Sequence, residues 1–213
     1  MAEEIVLSNI GKRFNGRWLF RHVDFSWKRG DRVAIIGANG SGKSSLTSVI
    51  AGYLTATEGK VVIKNKDVVV AEQDHWRCIS WTSPALLIPE QLSYLELFHQ
   101  VEKLRGFHED WSVEKMERLM GLEKYRNQPL KSFSSGMRQR VKLILAFAIH
   151  ADVLILDEPT AHLDKNGVEW FSTLVQNAKH DVIFVASNSN NDETFFCNQV
   201  LDVATCVPSA ISH

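Results

Sequence analysis

Gly37-Ala38-Asn39-Gly40-Ser41-Gly42-Lys43-Ser44 decides the fold of this 213-residue chain. The octet satisfies G-x-x-x-x-G-K-[ST] in full and stands between two segments of opposite character. Before it, Arg32-Val33-Ala34-Ile35-Ile36 is a continuous apolar run, as a strand buried on both faces requires. After it, Ser44 to Ile50 reads as a helix that stops near Gly52, a residue suited to a C-cap. In such a strand–turn–helix setting, glycines let the backbone wrap a polyphosphate with its N–H groups pointing inward, and the helix N-terminus adds a favourable dipole. Gly37, Asn39, Gly40, Ser41, Gly42, Ser44 and Ser45 are expected to line this cradle. Lys43 is expected to reach the β- and γ-phosphates, and the Ser44 hydroxyl to hold Mg2+.

A second buried strand, Val153-Leu154-Ile155-Leu156, runs into Asp157-Glu158. A carboxylate at a strand end beside a phosphate cradle, Asp157, is placed to bind magnesium through water. Glu158, the next residue, is placed to accept a proton from an attacking water. Together the two segments imply a chain that binds a nucleoside triphosphate.

Outward from these segments, Ile5-Val6-Leu7 is a short strand candidate, and Val61–Ile63 and Val68–Val70 read as a hairpin around Asn65-Lys66-Asp67. Cys78 to Trp81 and Val182 to Val185 fit two more strands. Between Pro89 and Leu130, apolar residues recur at helical spacing (Leu92, Leu95, Phe98, Val113, Met116, Met120), and Val141 to Ile149 is helical too. Alternating strands and helices imply an α/β fold with a mostly parallel sheet covered on both faces. The expected organisation is one domain over residues 1–213, with a nucleotide-binding core of 1–84 and 132–213 and an inserted helical subdomain of about 85–131.

With 45% apolar and 23% charged residues the chain has an ordinary globular composition. Its 24 basic and 25 acidic side chains leave a formal charge of −1, so the basic footprint of a nucleic-acid or anionic-membrane binder is absent. No apolar run approaches the ~18 residues that span a bilayer, and the acidic start Met1-Ala2-Glu3-Glu4 is unlike a signal peptide. Three cysteines, Cys78, Cys197 and Cys206, show no C-x-x-C spacing, which points to a reduced, cytosolic setting.

Ser132-Phe133-Ser134-Ser135-Gly136-Met137-Arg138-Gln139-Arg140 resembles the signature segment of ATP-binding-cassette (ABC) ATPases, and Ser134 lies 23 residues before Asp157, as that family places it. Asp157-Glu158-Pro159-Thr160-Ala161-His162-Leu163-Asp164 is similar to the family's second phosphate motif followed by its D-loop. Phe14 sits where the family carries an aromatic that stacks on adenine, with Trp18 as an alternative close by. The resemblance covers the whole chain. It implies a P-loop NTPase core of the RecA-like type with an N-terminal antiparallel β subdomain and an inserted helical subdomain. It also implies ATP and Mg2+ as cofactors and a homodimer or heterodimer of cassettes packed head to tail. In that arrangement Ser134, Ser135 and Gly136 close over the γ-phosphate held by the other subunit. Independently of it, Ser134 and Ser135 can cap the helix that starts near Gly136, making a second anion-binding helix end.

Two positions depart from the family pattern. Where it has a magnesium-contacting glutamine, this chain reads Trp81-Thr82-Ser83-Pro84; proline offers no ligand, Ser83 could substitute, and Gln73 and Gln91 lie too far along the chain. Where it has a histidine that bonds the γ-phosphate, Asn188 stands here, an amide that can donate but carries no charge. His162 and His180, the nearest histidines, read as surface residues. Both departures bear on rate rather than on binding.

The resemblance implies an ATP-hydrolysing subunit of a transporter, of the export type by its compact length and Ser-Ser-Gly-Met variant. It would lie at the cytoplasmic face of a membrane through a separate transmembrane permease, with no nucleic acid bound. The permease would enter a groove near Ser83 to Phe98 containing Leu86, Leu87, Ile88, Leu92, Tyr94 and Leu95. Two other functions stay open: a soluble cassette ATPase acting on nucleic acid or ribosomes, and a catalytically weakened, nucleotide-gated regulatory module.

Overall fold

Chain segments rich in β-branched and aromatic residues pair into two sheets, whose apolar faces must be covered. In the computed structural model, which describes residues 4–65, 68–188 and 191–206, the chain opens with β1 (Glu4–Phe14) and β2 (Arg17–Lys28), paired antiparallel across Asn15-Gly16. Both turn residues have positive φ, 48° and 81°, as a two-residue hairpin of matching twist demands. β3 (Arg32–Ile36) leads to α1 (Lys43–Ile50), and β4 (Glu58–Asn65) and β5 (Val68–Val69) form the expected hairpin. α2 (His75–Cys78) precedes β6 (Ile79–Thr82), so Cys78 closes a helical turn instead of opening the strand. Then come α3 (Tyr94–Arg105), α4 (Val113–Met120), α5 (Ser135–Ala148), β7 (Val153–Asp157), α6 (Lys165–Gln176), β8 (Val182–Ser187), α7 (Asn191–Thr194) and β9 (Gln199–Asp202).

The first sheet has the order β2-β1-β4-β5 and is antiparallel. The second has the order β6-β7-β8-β3-β9 and every pairing in it is parallel. Along β7 and β8 the side chains alternate between two cores. Leu154, Leu156, Ile183 and Val185 pack with α3–α6, whereas Val153, Ile155, Val182 and Phe184 pack with α1 and the antiparallel sheet. Both faces are thus covered, which is why β7 is buried at all five positions. No helix among the described residues is long and apolar enough to cross a membrane.

Parallel strands end together. Asp157 is level with Ala186, and Ile36 with Ser187, so the loops leaving β3, β7 and β8 converge at one rim. In open α/β sheets that rim is where ligands bind.

Candidate nucleotide site

Five helices of eight or more residues occur among the described residues. Four have a side chain capping the N-terminus: Ser93 on α3, Ser112 on α4, Ser134 on α5 and Asp164 on α6. α1 has none, because its N-cap is Gly42 with φ 105°. The first-turn amides of α1 are therefore left to something outside the protein, and they carry the positive end of the helix dipole. Gly42 is also needed sterically, since a Cβ there would come within 2.7 Å of Leu19 Cγ.

Lys43 is buried, and its ammonium donates to the Gly37 carbonyl at 2.8 Å and the Ala38 carbonyl at 3.0 Å. Two of its three N–H donors thus brace the loop, and one remains. A cavity of about 180 Å3 is lined by Asn39, Gly40, Gly42, Lys43, Ser44 and Ser45 together with Glu158. The two sequence segments read as halves of one site do meet.

Asp157 is 3% exposed, and its Oδ1 has no hydrogen-bond partner. Burial pushes its carboxyl up to about 6, while the Ser44 hydroxyl and the Lys43 ammonium pull it back down and Glu158 opposes them. Ser41 Oγ, Thr82 Oγ1 and Ser83 Oγ are likewise buried without partners. Thr82 pairs with Leu156, so Ser83 follows at the level of Asp157. A buried carboxylate oxygen and unpaired hydroxyls at the phosphate rim fit a hard divalent cation with oxygen ligands.

Glu158 has φ 45°, in the left-handed region that a non-glycine residue rarely adopts. Its N–H donates to the Ala186 carbonyl at 2.9 Å, and Oε1 accepts from Asn188 Nδ2 at 3.0 Å. Sequence reasoning missed a further clamp: Glu193 on α7, buried at 4% exposure, accepts from both the Thr160 N–H and the Thr160 hydroxyl. The loop after β7 is pinned to the segment after β8 at two points, one on either side of Pro159.

At the other functional segment, α5 starts at Ser135, with Ser134 Oγ accepting from Met137 N–H at 3.2 Å. The serine at the cap is Ser134, and Ser135 is already helical. Both serines are exposed. Gly136 lets α5 approach the D-loop-like turn, since a Cβ there would lie 2.9 Å from the His162 carbonyl oxygen. The pocket at this helix end, lined by Ser134, Ser135, Gly136, Met137, His162 and Asp164, shares no lining residue with the cradle. Two separate pockets thus lie at helix N-termini, one at the uncapped end of α1 and one at the Ser134-capped end of α5.

Phe14, at the tip of β1, is 47% exposed, with Lys12 Nζ 4.9 Å from its ring centre. Trp18 lies against the guanidiniums of Arg13 and Arg21, which occupy its ring. Gln73 and Gln91 are exposed, and so is His162. His180 is not a surface residue: it is 3% exposed, beside His108 and Phe147, and burial drives its imidazole down to about 3. A cavity of about 580 Å3 beside α5 is lined by Pro84, Leu86, Leu87, Ile88, Arg138 and Lys142 among others. Tyr94, placed in this groove by sequence, is instead fully buried in the helical core, its hydroxyl donating to Glu117 at 2.6 Å.

Residues 20–161 match the family described as ABC transporter. The chain is 31% identical over 95% of its length to the ribosome protection protein VmlR of Bacillus subtilis (strain 168), of which it spans 36%. It is 27% identical to the uncharacterized ABC transporter ATP-binding protein YybJ of the same organism, covering 93% of this chain and 92% of YybJ. Identity is 32% to the cytochrome c biogenesis ATP-binding export protein CcmA of Bradyrhizobium diazoefficiens, covering 81% and 86%. In fold, it resembles the ATP binding subunit of an ABC transporter (TM-score 0.81, 22% identity, covering 93% of this chain and 85% of that one). It also resembles the dimeric post-hydrolysis state of the ATP-binding cassette MJ0796 bound to ADP and Pi (TM-score 0.76, 22% identity, covering 93% of each). The chain belongs to the ABC transporter family, as one of its ATPase domains.

Proposed function

We propose that this chain is the ATP-hydrolysing subunit of a transporter, driving a separate membrane-embedded partner by ATP-dependent head-to-tail pairing of two cassettes. The observation that carries the reading is the uncapped α1 facing Glu158 across one cavity, while a second helix end lies apart from it. In this reading residues 1–84 and 132–213 form the nucleotide core and residues of about 85–131 the helical unit.

The amides of Gly37 to Ser45 and the free donor of Lys43 hold the triphosphate, and Phe14 covers the adenine. Ser44, Asp157 and Ser83 are the residues that would hold Mg2+, which when bound supplies charge neutralisation to the β- and γ-phosphates. Glu158 takes the proton of the attacking water with Oε2, while Asn188 fixes Oε1. Ser134, Ser135 and Gly136 of the paired cassette enclose the γ-phosphate from the other side. A second copy or a different cassette fills the partner's role, and each closes its neighbour's site.

The groove of Leu86, Leu87 and Ile88, with Leu87 92% exposed, is the proposed seat of the permease, and in this reading the chain works at the cytoplasmic face of a membrane. Hydrolysis is expected to be slow to moderate, because losing one donor at a phosphoryl transition state costs on the order of 100-fold.

Phosphate release from the purified chain tests catalysis, and gel filtration of Glu158→Gln with ATP tests pairing, for which a stable dimer is expected. Absence of phosphate release removes the enzymatic half of the reading, and an all-monomer profile removes the paired mechanism.

A second reading is supported by the match to VmlR over nearly the whole chain: an ATPase acting on the ribosome. Filter binding to ribosomal RNA at low salt separates the two, since a chain of net charge −1 is expected to show no retention.

A further inference from the structure

The helix whose N-terminus carries Ser134 to Gly136 also reaches back to its own chain's nucleotide rim. Lys142, two turns into α5, donates to the Pro84 carbonyl at 3.0 Å, with a longer 3.4 Å contact to the Ser83 carbonyl. Gln139, one turn earlier and 3% exposed, donates from Nε2 to the Pro159 carbonyl at 2.9 Å. Ser83 and Pro84 lie in the loop leaving β6; Pro159 lies in the loop leaving β7, directly after Glu158. Both loops that border the proposed metal and water sites therefore end on one helix.

The spacing makes that helix a crossbar. Ser135, Gln139 and Lys142 stand four and three residues apart, so they form one stripe along α5, and all three line the same cavity with Pro84. Ser83, 2% exposed and with its hydroxyl unpartnered, follows directly on the Thr82–Leu156 pair, as Asp157 does on the neighbouring strand. A ligand on this hydroxyl would bear on the same loop backbone that Lys142 holds, and α5 runs without a break from Lys142 to Ser135. Proline at position 84 supplies no side-chain hydrogen bond of its own, so the link from loop to helix is made from the helix side.

We infer that Lys142 is a positioning residue that reports the state of one chain's own nucleotide site to the serine-glycine end of α5 offered to the paired cassette. This rests on the head-to-tail reading above. It assigns Lys142 to cooperativity between the sites, not to the grip on either nucleotide.

The test uses the full chain carrying Glu158→Gln, so that bound ATP persists, with Lys142→Met and Lys142→Arg added singly. Mg-ATP affinity is read by calorimetry below the pairing concentration, and ATP-driven pairing by sedimentation across a protein series. For Lys142→Met the expectation is ATP affinity within about twofold of the parent and pairing weakened by about tenfold, the size of a lost charge-assisted hydrogen bond. Lys142→Arg, which keeps the positive charge and the N–H donors, is expected to restore most of the pairing. If Lys142→Met does not fold, Lys142→Gln takes its place in the same comparison. Pairing by the neutral variant as tight as the parent's overturns the inference, and so does an equal loss of ATP affinity and pairing that arginine fails to rescue. A parent protein that binds ATP and never pairs overturns the head-to-tail reading itself, and this inference with it.

Discussion

Asn188 donates its side-chain amide to Glu158 Oε1 at 3.0 Å, joining the segment after β8 to the strained residue after β7. The bond leaves Oε2 for a water and holds the carboxylate without neutralising it, because an amide carries no charge. Asn188→Ala is expected to lower kcat by about tenfold while leaving KM for ATP within twofold, the loss of one oriented hydrogen bond. Asn188→Asp is expected to be worse, since it places a second acceptor and a like charge against Glu158. Steady-state phosphate release over an ATP series checks both, and an Asn188→Ala protein as fast as the parent counts against this role.

Gly42→Ala tests the cradle through sterics. The added Cβ meets Leu19 Cγ at 2.7 Å, on a backbone whose φ of 105° disfavours any side chain. A loss of about 2 kcal/mol in stability is expected from strain alone, with ATP affinity falling along with it. Urea denaturation and calorimetry on the same preparation measure the two effects.

Asp157→Asn separates nucleotide binding from cation binding. The carboxylate oxygen with no protein partner becomes a neutral amide oxygen, a weaker donor to a hard cation. ATP titrations with and without Mg2+ are expected to differ for the parent and to coincide for the variant. A variant that keeps the full magnesium effect shifts the cation to other ligands.

Stability is expected to fall on acidification because of His180. Its imidazole is held near 3 when folded, well below its unfolded value of ~6.5, by burial first and by His108, Arg32 and His150 after that. A depressed folded pKa means the unfolded chain binds the extra proton between those values. The contribution is therefore complete above pH ~6.5 and is lost progressively as pH falls toward 3. About 2 kcal/mol is expected to go between pH 6.5 and 5 from this group, and His180→Phe is expected to flatten the profile. Urea midpoints at a series of pH values measure it.

What the sequence made legible is what chemistry confines to a short stretch. The cradle, the Asp157-Glu158 strand end and the signature segment each need particular residues at adjacent positions, so their spacing survives in one dimension. β1 read as only Ile5 to Leu7 because its pairing slips between Leu7 and Ile10 and again near Lys12, which breaks the alternation. β2 escaped notice although Asn15-Gly16, a strong hairpin signal, stands before it. β9 is a four-residue edge strand with too little pattern to read. The contacts made at long range left no local trace at all. The burial of His180 depends on His108 and Phe147, the Glu193 clamp on Thr160, and the Lys142 bridge on Pro84.

The most direct measurement is calorimetric titration of Mg-ATP into the unaltered chain and into Lys43→Ala. Saturable binding that weakens by about 100-fold in the variant, the scale of a charged group lost from a phosphate site, is the expected result. Equal binding by the two proteins, or no heat from either, would contradict a triphosphate gripped at Gly37 to Ser45.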